Sequence, residues 1–358
     1  MINQSSFKFK VIKESKQSAA RVGEISTPHG NIQTPCFMPI ATAGAIRALD
    51  FKTLAEIGAQ ICLANTYHLH LRPGDQIIRK AGGLHQYISW SKPILTDSGG
   101  YQVFSLAKTR KITPRGVKFQ SHIDGSPCFL SPEKSIRIQQ NLGSDIMMVF
   151  DECPPSDCSH DYAQKSLNLT LKWARRCRKV HQHKNQALFG IVQGGLFHDL
   201  RLQSSARLQE INFDGYAIGG LAVGESNSQM YDVLNYTVPT LPTNKPRYLM
   251  GVGTPENIQQ AINMGVDMFD CVLPTRNARH GYLYTSGGII KIKQTQYKND
   301  LATLDPQCHC YTCANYSKSY LRHLLINKEP MSMYLNTLHN LSFYIGMFKN
   351  MRQQLLNE

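Results

Sequence analysis

Four polar residues directly follow short apolar runs of the chain, and their types could do chemistry together. They are Asp97, Asp151, Gln193 and Asp270, and a glycine pair, Gly99-Gly100, stands close behind the first of them. Glycine lets the backbone approach a ligand closely. Each of these residues alone would be an ordinary turn residue. Their recurrence at the ends of apolar runs predicts one pocket with three carboxylates and an amide.

Three acids in one pocket suit a transfer at a sugar carbon. Like charges in a confined site push pKa values apart, so one carboxyl can hold a proton while another stays ionised. One carboxylate can then attack the anomeric carbon while another protonates the leaving group. A third carboxylate beside a glutamine amide offers the donors and acceptors that match the edge of a nucleobase.

Eight apolar runs separated by helical patterns must position these residues. An alternation of continuous apolar strands with helices is typical of a parallel sheet covered by helices, and eight units predict a closed (β/α)8 TIM barrel. No Gly-x-Gly-x-x-Gly follows the first run, which disfavours an open dinucleotide-binding sheet. The carboxyl ends of barrel strands meet at one mouth, so the four polar residues are expected there. The predicted strands are 36–40, 60–64, 94–96, 145–150, 187–192, 215–219, 247–250 and 267–269.

Three segments complete the predicted organisation. Residues 1–35 contain short antiparallel strands and are interpreted as an N-terminal β flap or lid. The barrel spans 36–285, with a hairpin insertion near 117–130 that turns at Asp124-Gly125. Residues 286–358 form a zinc-binding helical subdomain that closes the barrel. The basic segment 171–181 is predicted to be an outer helix of the barrel, with Trp173 and Cys177 facing inward.

Cys308, Cys310 and Cys313 lie within six residues, which indicates a metal site in a reducing compartment. The fourth ligand is open between His323 and His339, because spacing does not choose between them. Three thiolates and one histidine leave no coordination position free, so we expect structural zinc.

The charge of the chain favours a polyanionic partner. Lys and Arg number 39 against 25 Asp and Glu, a formal net charge of +14, which makes nucleic acid the simplest partner. No run reaches the ~18 apolar residues of a membrane span, and the first residues lack the apolar core of a signal peptide. We therefore expect a cytoplasmic protein without a membrane partner.

Six motifs, taken in order, resemble tRNA-guanine transglycosylase in its bacterial form. They are Thr-Asp-Ser-Gly-Gly-Tyr-Gln at 96–102, Phe-Asp-Glu-Cys at 150–153, Ile-Val-Gln-Gly-Gly at 191–195, Gly-Gly-Leu-Ala-Val-Gly-Glu at 219–225, Asp-Cys-Val-Leu-Pro-Thr-Arg-Asn-Ala-Arg at 270–279, and Cys-x-Cys-x-x-Cys at 308–313 with a later histidine. The resemblance runs over essentially the whole chain.

The resemblance implies an enzyme that exchanges guanine at the wobble position of tRNAs with GUN anticodons (Asp, Asn, His and Tyr tRNAs) for the queuosine precursor preQ1. It implies that Asp270 is the nucleophile at ribose C1′ and that Asp97 is the general acid/base, through a covalent glycosyl-enzyme intermediate. Members of this family act as homodimers, so a homodimer is expected.

The resemblance also assigns the remaining site residues. Asp151 and Gln193 read the base edge, and Tyr101 and Met250 sandwich the base. The base pocket comprises Ser98, Gly99, Gly100, Tyr101, Asp151, Cys153, Gln193, Gly220, Leu221 and Met250. The RNA-contacting residues are Gly251, Val252, Gly253, Thr254, Pro255, Glu256, Asn257, Thr275, Arg276, Asn277, Ala278 and Arg279. The zinc ligands are Cys308, Cys310, Cys313 and His339, so the resemblance selects His339 as the fourth.

Other functions remain open at this point. An enzyme that salvages the larger base queuine is one, although Cys153 and Val223 match the bacterial pattern. A non-catalytic tRNA-binding relative is another, but it would be marked by loss of Asp97 or Asp270, and both are present. A carbohydrate glycosidase would leave the cysteine cluster and the basic tail unexplained. An archaeal-type transglycosylase would be expected to carry further C-terminal RNA-binding domains.

Overall fold

The computed structural model describes residues 7–106, 110–183 and 185–358. Most of its strands are short and buried. The strands of this described part are β1 Lys8–Glu14, β2 Arg21–Thr27, β3 Gly30–Thr34, β4 Cys36–Met38, β5 Ile40–Ala41, β6 Cys62–Ala64, β7 Ile94–Thr96, β8 Arg110–Thr113, β9 Gly116–Gln120, β10 Pro127–Leu130, β11 Ile146–Met148, β12 Ala187–Val192, β13 Gly215–Ile218, β14 Arg247–Leu249, β15 Met268–Asp270, β16 Tyr282–Thr285 and β17 Gly288–Lys291.

Helices alternate with the strands through most of the chain. The α-helices of the same described part are α1 Phe51–Glu56, α2 Thr66–Leu71, α3 Asp75–Lys80, α4 Leu84–Ile88, α5 Gly100–Leu106, α6 Pro132–Leu142, α7 His160–Val180, α8 His198–Ile211, α9 Asn227–Thr237, α10 Pro255–Asn263, α11 Leu273–His280, α12 Tyr311–Asn315, α13 Lys318–Ile326 and α14 Pro330–Asn357. In this part of the chain, no helix is both long and apolar enough to cross a membrane.

Nine strands form one parallel sheet that closes into a barrel. Their order is β4-β15-β14-β13-β12-β11-β7-β6-β5. The two ends of this order, β4 and β5, are separated in the chain only by Pro39. One pairs with β15 and the other with β6, so together they are the predicted first strand, interrupted at the proline. The (β/α)8 barrel predicted from the sequence is confirmed.

The outer helices follow the local sequence signals. Thr254 caps α10, since its side-chain oxygen accepts a hydrogen bond from the backbone N–H of Asn257 at 3.3 Å. On α7, Trp173 and Cys177 are fully buried against the barrel, and the Trp173 ring lies 4.9 Å from that of Phe150. The prediction that these two residues face inward is confirmed.

The N-terminal strands β1, β2 and β3 form an antiparallel sheet, as predicted. Arg21 donates two hydrogen bonds to Asp267, at 2.9 and 2.7 Å. The Nδ1 atom of His29 lies 2.7 Å from Oδ1 of Asp145. Because Asp145 and Asp267 precede β11 and β15, this sheet covers the amino ends of the barrel strands. Interpretation of the segment as a lid is therefore wrong, because the sheet packs at the end of the barrel opposite the carboxyl ends.

The insertion after the third predicted strand is a small antiparallel sheet. β9 pairs with β10 across a turn that contains Asp124-Gly125, which confirms the predicted hairpin. β8 pairs with β9 as a third strand, and the sequence analysis missed it. In the chain, this sheet lies between β7 and β11, after the carboxyl end of β7.

The C-terminal region ends in the long helix α14, which packs against the barrel itself. The centroid of the Phe37 ring on β4 lies 5.1 Å from that of Tyr344 and 6.0 Å from that of Phe348. The ring centroids of Phe269 on β15 and Phe348 are 5.6 Å apart. The last helix thus covers the seam between the last and first strands. A smaller apolar cluster, which includes Leu283 and Leu321, lies beside it.

Candidate active site

The carboxyl ends of β7, β11, β12 and β15 carry Asp97, Asp151, Gln193 and Asp270, and all four side chains are buried. Asp151 and Gln193 are hydrogen-bonded to each other. Besides burial, the charge of Asp97 raises the pKa of Asp151. Besides burial, the charges of Asp270 and Asp97 both raise the pKa of Tyr248. The structure therefore brings the four residues close together at the carboxyl ends of the barrel strands.

Asp97 is held by four hydrogen bonds. The side-chain amides of Asn65 and Gln102 donate to its Oδ2 at 2.5 and 2.8 Å. The backbone N–H groups of Thr66 and Gly99 donate to its Oδ1 at 2.8 and 3.2 Å. Two of these donors, Asn65 and Thr66, directly follow β6 at the start of α2, so the pairing of β6 with β7 orients the acid.

Burial controls the protonation of the three acids. It raises the pKa of Asp97 to about 6, although the four hydrogen bonds act in the opposite direction. Burial also raises the pKa of Asp151 to about 6, and the nearby charge of Asp97 adds to the effect. The pKa of Asp270 is raised as well, again by burial. An acid that titrates near neutral pH can both donate and accept a proton during a reaction.

Asp151 and Gln193 present adjacent acceptor and donor groups. The Gln193 amide Nε2 donates to Asp151 Oδ2 at 2.8 Å. Within the described residues, Gln193 Oε1 is buried without a hydrogen-bond partner. A Cβ at Gly220, which has φ +67°, would lie 2.5 Å from that oxygen. Only glycine therefore leaves room for the amide at this place.

Two groups donate hydrogen bonds to one oxygen of the Asp270 carboxylate. The Tyr248 hydroxyl donates to Oδ1 at 2.6 Å, and the backbone N–H of Gly251 donates to the same atom at 2.8 Å. Burial and the adjacent carboxylate raise the pKa of Tyr248 well above its usual value, so this residue stays a hydrogen-bond donor. These two hydrogen bonds orient the carboxylate through Oδ1 and so distinguish Oδ1 from Oδ2.

Other residues predicted for the base pocket differ in exposure. Leu221 is buried, Met250 is half-buried, and Tyr101 on α5 is 54% exposed. Burial raises the pKa of Cys153 to about 12, so its side chain stays a neutral thiol. Ser98 Oγ accepts a hydrogen bond from Gly100 N at 3.2 Å, which shapes the turn that leads into α5.

The predicted RNA-contacting segments include a crowded group of arginines. Burial lowers the pKa of Arg279, and the charges of Arg47 and Arg276 lower it further. Arg279 Nη1 also donates to the backbone oxygen of Thr275 at 2.8 Å. Guanidinium groups that repel one another favour the binding of phosphate. The sequence analysis did not select Arg47, which follows the first barrel strand.

Cys308, Cys310, Cys313 and His339 form a cluster that could hold a metal ion. The three sulfurs lie 3.8, 3.6 and 3.3 Å from His339 Nδ1. The other ring nitrogen of His339 lies 2.7 Å from the backbone oxygen of Tyr284, which fixes the ring as in many metal sites. Of the two histidines that spacing left open, the structure thus places His339 with the cysteines.

Sequence reasoning missed several residues that shape the pocket. Gln102 is the last residue of the motif at 96–102, and Asn65 directly follows a buried strand. These two positions were the available signal. Tyr248 lies within a buried strand, and Arg201 lies within an outer helix. Nothing local in the sequence distinguishes these last two from core residues.

Comparison with known proteins gives a consistent result. A family model described as "Queuine tRNA-ribosyltransferase" matches residues 15–358. A protein of that name from Halothermothrix orenii is 52% identical over 97% of this chain and 93% of its own length. A protein of the same name from Francisella tularensis subsp. novicida is 54% identical over 97% of this chain and 94% of its own length. Another from Solidesulfovibrio magneticus is 55% identical over 94% of this chain and 91% of its own length.

Proposed function

This chain belongs to the queuine tRNA-ribosyltransferase family, a family of tRNA-guanine transglycosylases, and we propose that it exchanges guanine at the wobble position of tRNAs with GUN anticodons for preQ1. The observation that carries the proposal is the pair of buried carboxylates, Asp97 and Asp270, which have different hydrogen-bond partners in one pocket. Two such acids can divide the nucleophilic and proton-transfer roles between them.

In the proposed first step, Asp270 Oδ2 attacks C1′ of the wobble nucleotide. The bond between C1′ and the base nitrogen breaks, its electrons leave with guanine, and Asp97 supplies the proton that the departing base needs. In the second step, the nitrogen of preQ1 attacks C1′, its proton passes to Asp97, and the bond to Asp270 breaks. Both acids return to their starting states, so no nucleotide cofactor is needed.

The proposed base site uses the amide and backbone groups around Asp151. Asp151 and Gln193 would pair with the polar edge of the base, together with the backbone at Gly220 and Leu221. Tyr101 and Met250 would cover its two faces, and the exposure of Tyr101 leaves its ring free to stack. The base must leave the anticodon stack to reach this pocket.

The C-terminal region supports the proposed handling of tRNA. We propose that Cys308, Cys310, Cys313 and His339 hold Zn²⁺, because three sulfurs and one imidazole nitrogen are a tetrahedral zinc donor set without an open position. The ion would stabilise the basic region around it, and this region together with Arg276 and Arg279 would contact the RNA backbone. A homodimer is proposed on the resemblance alone, and the division into segments 1–35, 36–285 and 286–358 is proposed on the sequence patterns.

Incorporation of radiolabelled guanine into a purified tRNA with a GUN anticodon tests the proposal. Unlabelled preQ1 and queuine are added as competitors in parallel reactions. Suppression of labelling by preQ1 is the expected result. Better competition by queuine would replace preQ1 with queuine as the substrate. No labelling, with tRNA still bound, would favour a non-catalytic tRNA-binding protein.

A further inference from the structure

Arg201 on α8 is fully buried beneath the proposed base pocket. Its Nε donates to Gly195 O at 2.8 Å, and its Nη1 donates to Val192 O at 2.9 Å and to Gly219 O at 2.8 Å. These carbonyls belong to the end of β12 and to the loops after β12 and β13. One guanidinium therefore joins the two loops that carry Gln193 and Gly220.

Among the residues that the structure describes, none forms an ion pair with Arg201. In the same part of the chain, its Nη2 is buried without a hydrogen-bond partner. Burial lowers its pKa to about 10, and the charge of Glu225 opposes this effect only in part. An unpaired buried cation is costly to a fold, and neutral donors could join two loops without that cost.

Arg201 is linked to the pocket through one peptide group. Gly219 C=O accepts the Arg201 hydrogen bond, and the N–H of the same peptide group belongs to Gly220. A charged donor at the carbonyl polarises the peptide and makes its N–H a stronger donor. A Cβ at Gly220 would lie 2.5 Å from Gln193 Oε1 and 3.4 Å from Arg201 Nη2, so this peptide stands between the guanidinium and the base-reading amide.

We propose that Arg201 is a positioning and specificity residue, which acts through the Gly219–Gly220 peptide to select a base that carries an oxygen at the edge facing Gly220. The inference rests on the proposed base exchange. A strengthened N–H donor favours a carbonyl oxygen and gains little from a weak acceptor such as sulfur. The positive charge below the peptide also disfavours an amino group at the same position.

Guanine and 6-thioguanine test this selection, because they differ only in the oxygen or sulfur at that edge. Inhibition constants of both bases are measured by competition with labelled preQ1, for the wild type and for Arg201→Met. The variant should bind guanine about tenfold more weakly, as expected for loss of a charge-assisted hydrogen-bond network. Its affinity for 6-thioguanine should change less than about twofold.

Two further variants make the result decisive. Arg207→Met removes an exposed arginine of the same helix, paired with Glu210, and should change neither inhibition constant. Arg201→Lys keeps the charge with fewer donors. It should weaken the binding of guanine selectively, but by less than Arg201→Met does. If Arg201→Met does not fold, the ratio of the two constants in Arg201→Lys decides.

If Arg201→Met weakens the binding of both bases equally, Arg201 only supports the loops. If it weakens the binding of neither base, the inference is also overturned. If wild-type enzyme incorporates no base into tRNA, the proposed exchange fails independently. Calorimetric binding of guanine and 6-thioguanine would then still test the role of Arg201.

Discussion

Replacement of Asp97 by asparagine should stabilise the protein at neutral pH while it removes the proposed acid. The ordinary pKa of this carboxyl is 3.8, and burial raises it to about 6 in the folded chain. At about 1.4 kcal/mol per pKa unit, ionisation of the buried group costs up to about 3 kcal/mol of folding free energy. An asparagine carries no such cost.

The pH dependence follows from the sign of the shift. Because the folded pKa lies above the unfolded value, the stability due to protonated Asp97 is fully present below about pH 4 and is lost as the pH rises through about 6. The advantage of Asp97→Asn should therefore grow from below about 1 kcal/mol at pH 4 to about 3 kcal/mol at pH 8.

The surrounding hydrogen bonds can accommodate the asparagine. Its carbonyl oxygen can keep the bonds from Thr66 N and Gly99 N. Its amide nitrogen would take the place of Oδ2, where the carboxamides of Asn65 and Gln102 can turn to present their oxygens. Any imperfect pairing there reduces the gain, so 3 kcal/mol is an upper value.

Urea unfolding of both proteins between pH 4 and pH 8 measures the effect. Asp50→Asn is a useful control, because Asp50 caps α1 and its hydrogen bonds with Thr53 lower its pKa. That variant should be less stable than the wild type by an amount that stays nearly constant from about pH 5 to pH 8 and shrinks only as the pH falls towards 4 and below, so it should show no advantage that grows with pH. A free-energy difference between Asp97→Asn and wild type that is constant with pH, or a less stable variant at pH 8, would refute the reasoning.

Three further predictions address the site and the metal cluster. Asp270→Asn should lower base exchange by about a thousandfold or more while tRNA binding in a gel-shift assay persists; a folded variant that no longer binds tRNA would contradict a purely nucleophilic role. Tyr248→Phe removes the hydrogen bond to Asp270 Oδ1 and should lower kcat about tenfold with little change in the KM for the base, so an effect confined to KM would count against it. Cys310→Ala should reduce bound zinc from about one ion per chain to almost none and lower the melting temperature, and unchanged metal content by elemental analysis would exclude the proposed ligand set.

Local patterns in the chain were sufficient for much of the architecture. Eight apolar runs with intervening helical patterns predicted the barrel, and the residues behind those runs predicted which side chains meet. The cysteine spacing predicted the metal cluster. These features depend on residues a few positions apart, and strand and helix periodicity is expressed at that range.

Contacts between distant segments were beyond such patterns. The lid interpretation failed because the contacts of Arg21 and His29 with the amino ends of the barrel strands join residues more than a hundred positions apart. Likewise, only the packing of α14 across the barrel seam places His339 beside the cysteines.

The sequence by itself determined the fold class, the acids at the strand ends and the three cysteines of the cluster that could hold a metal ion. The tertiary structure alone decided how those acids are held and protonated. Tyr248 and Arg201 look like core residues in the chain, and they reach the site only because closure of the barrel brings them next to Asp270 and Gly219. Burial, which raises the pKa of Asp97 and Asp151, is likewise a property of the assembled pocket, since it measures how much water the whole fold excludes.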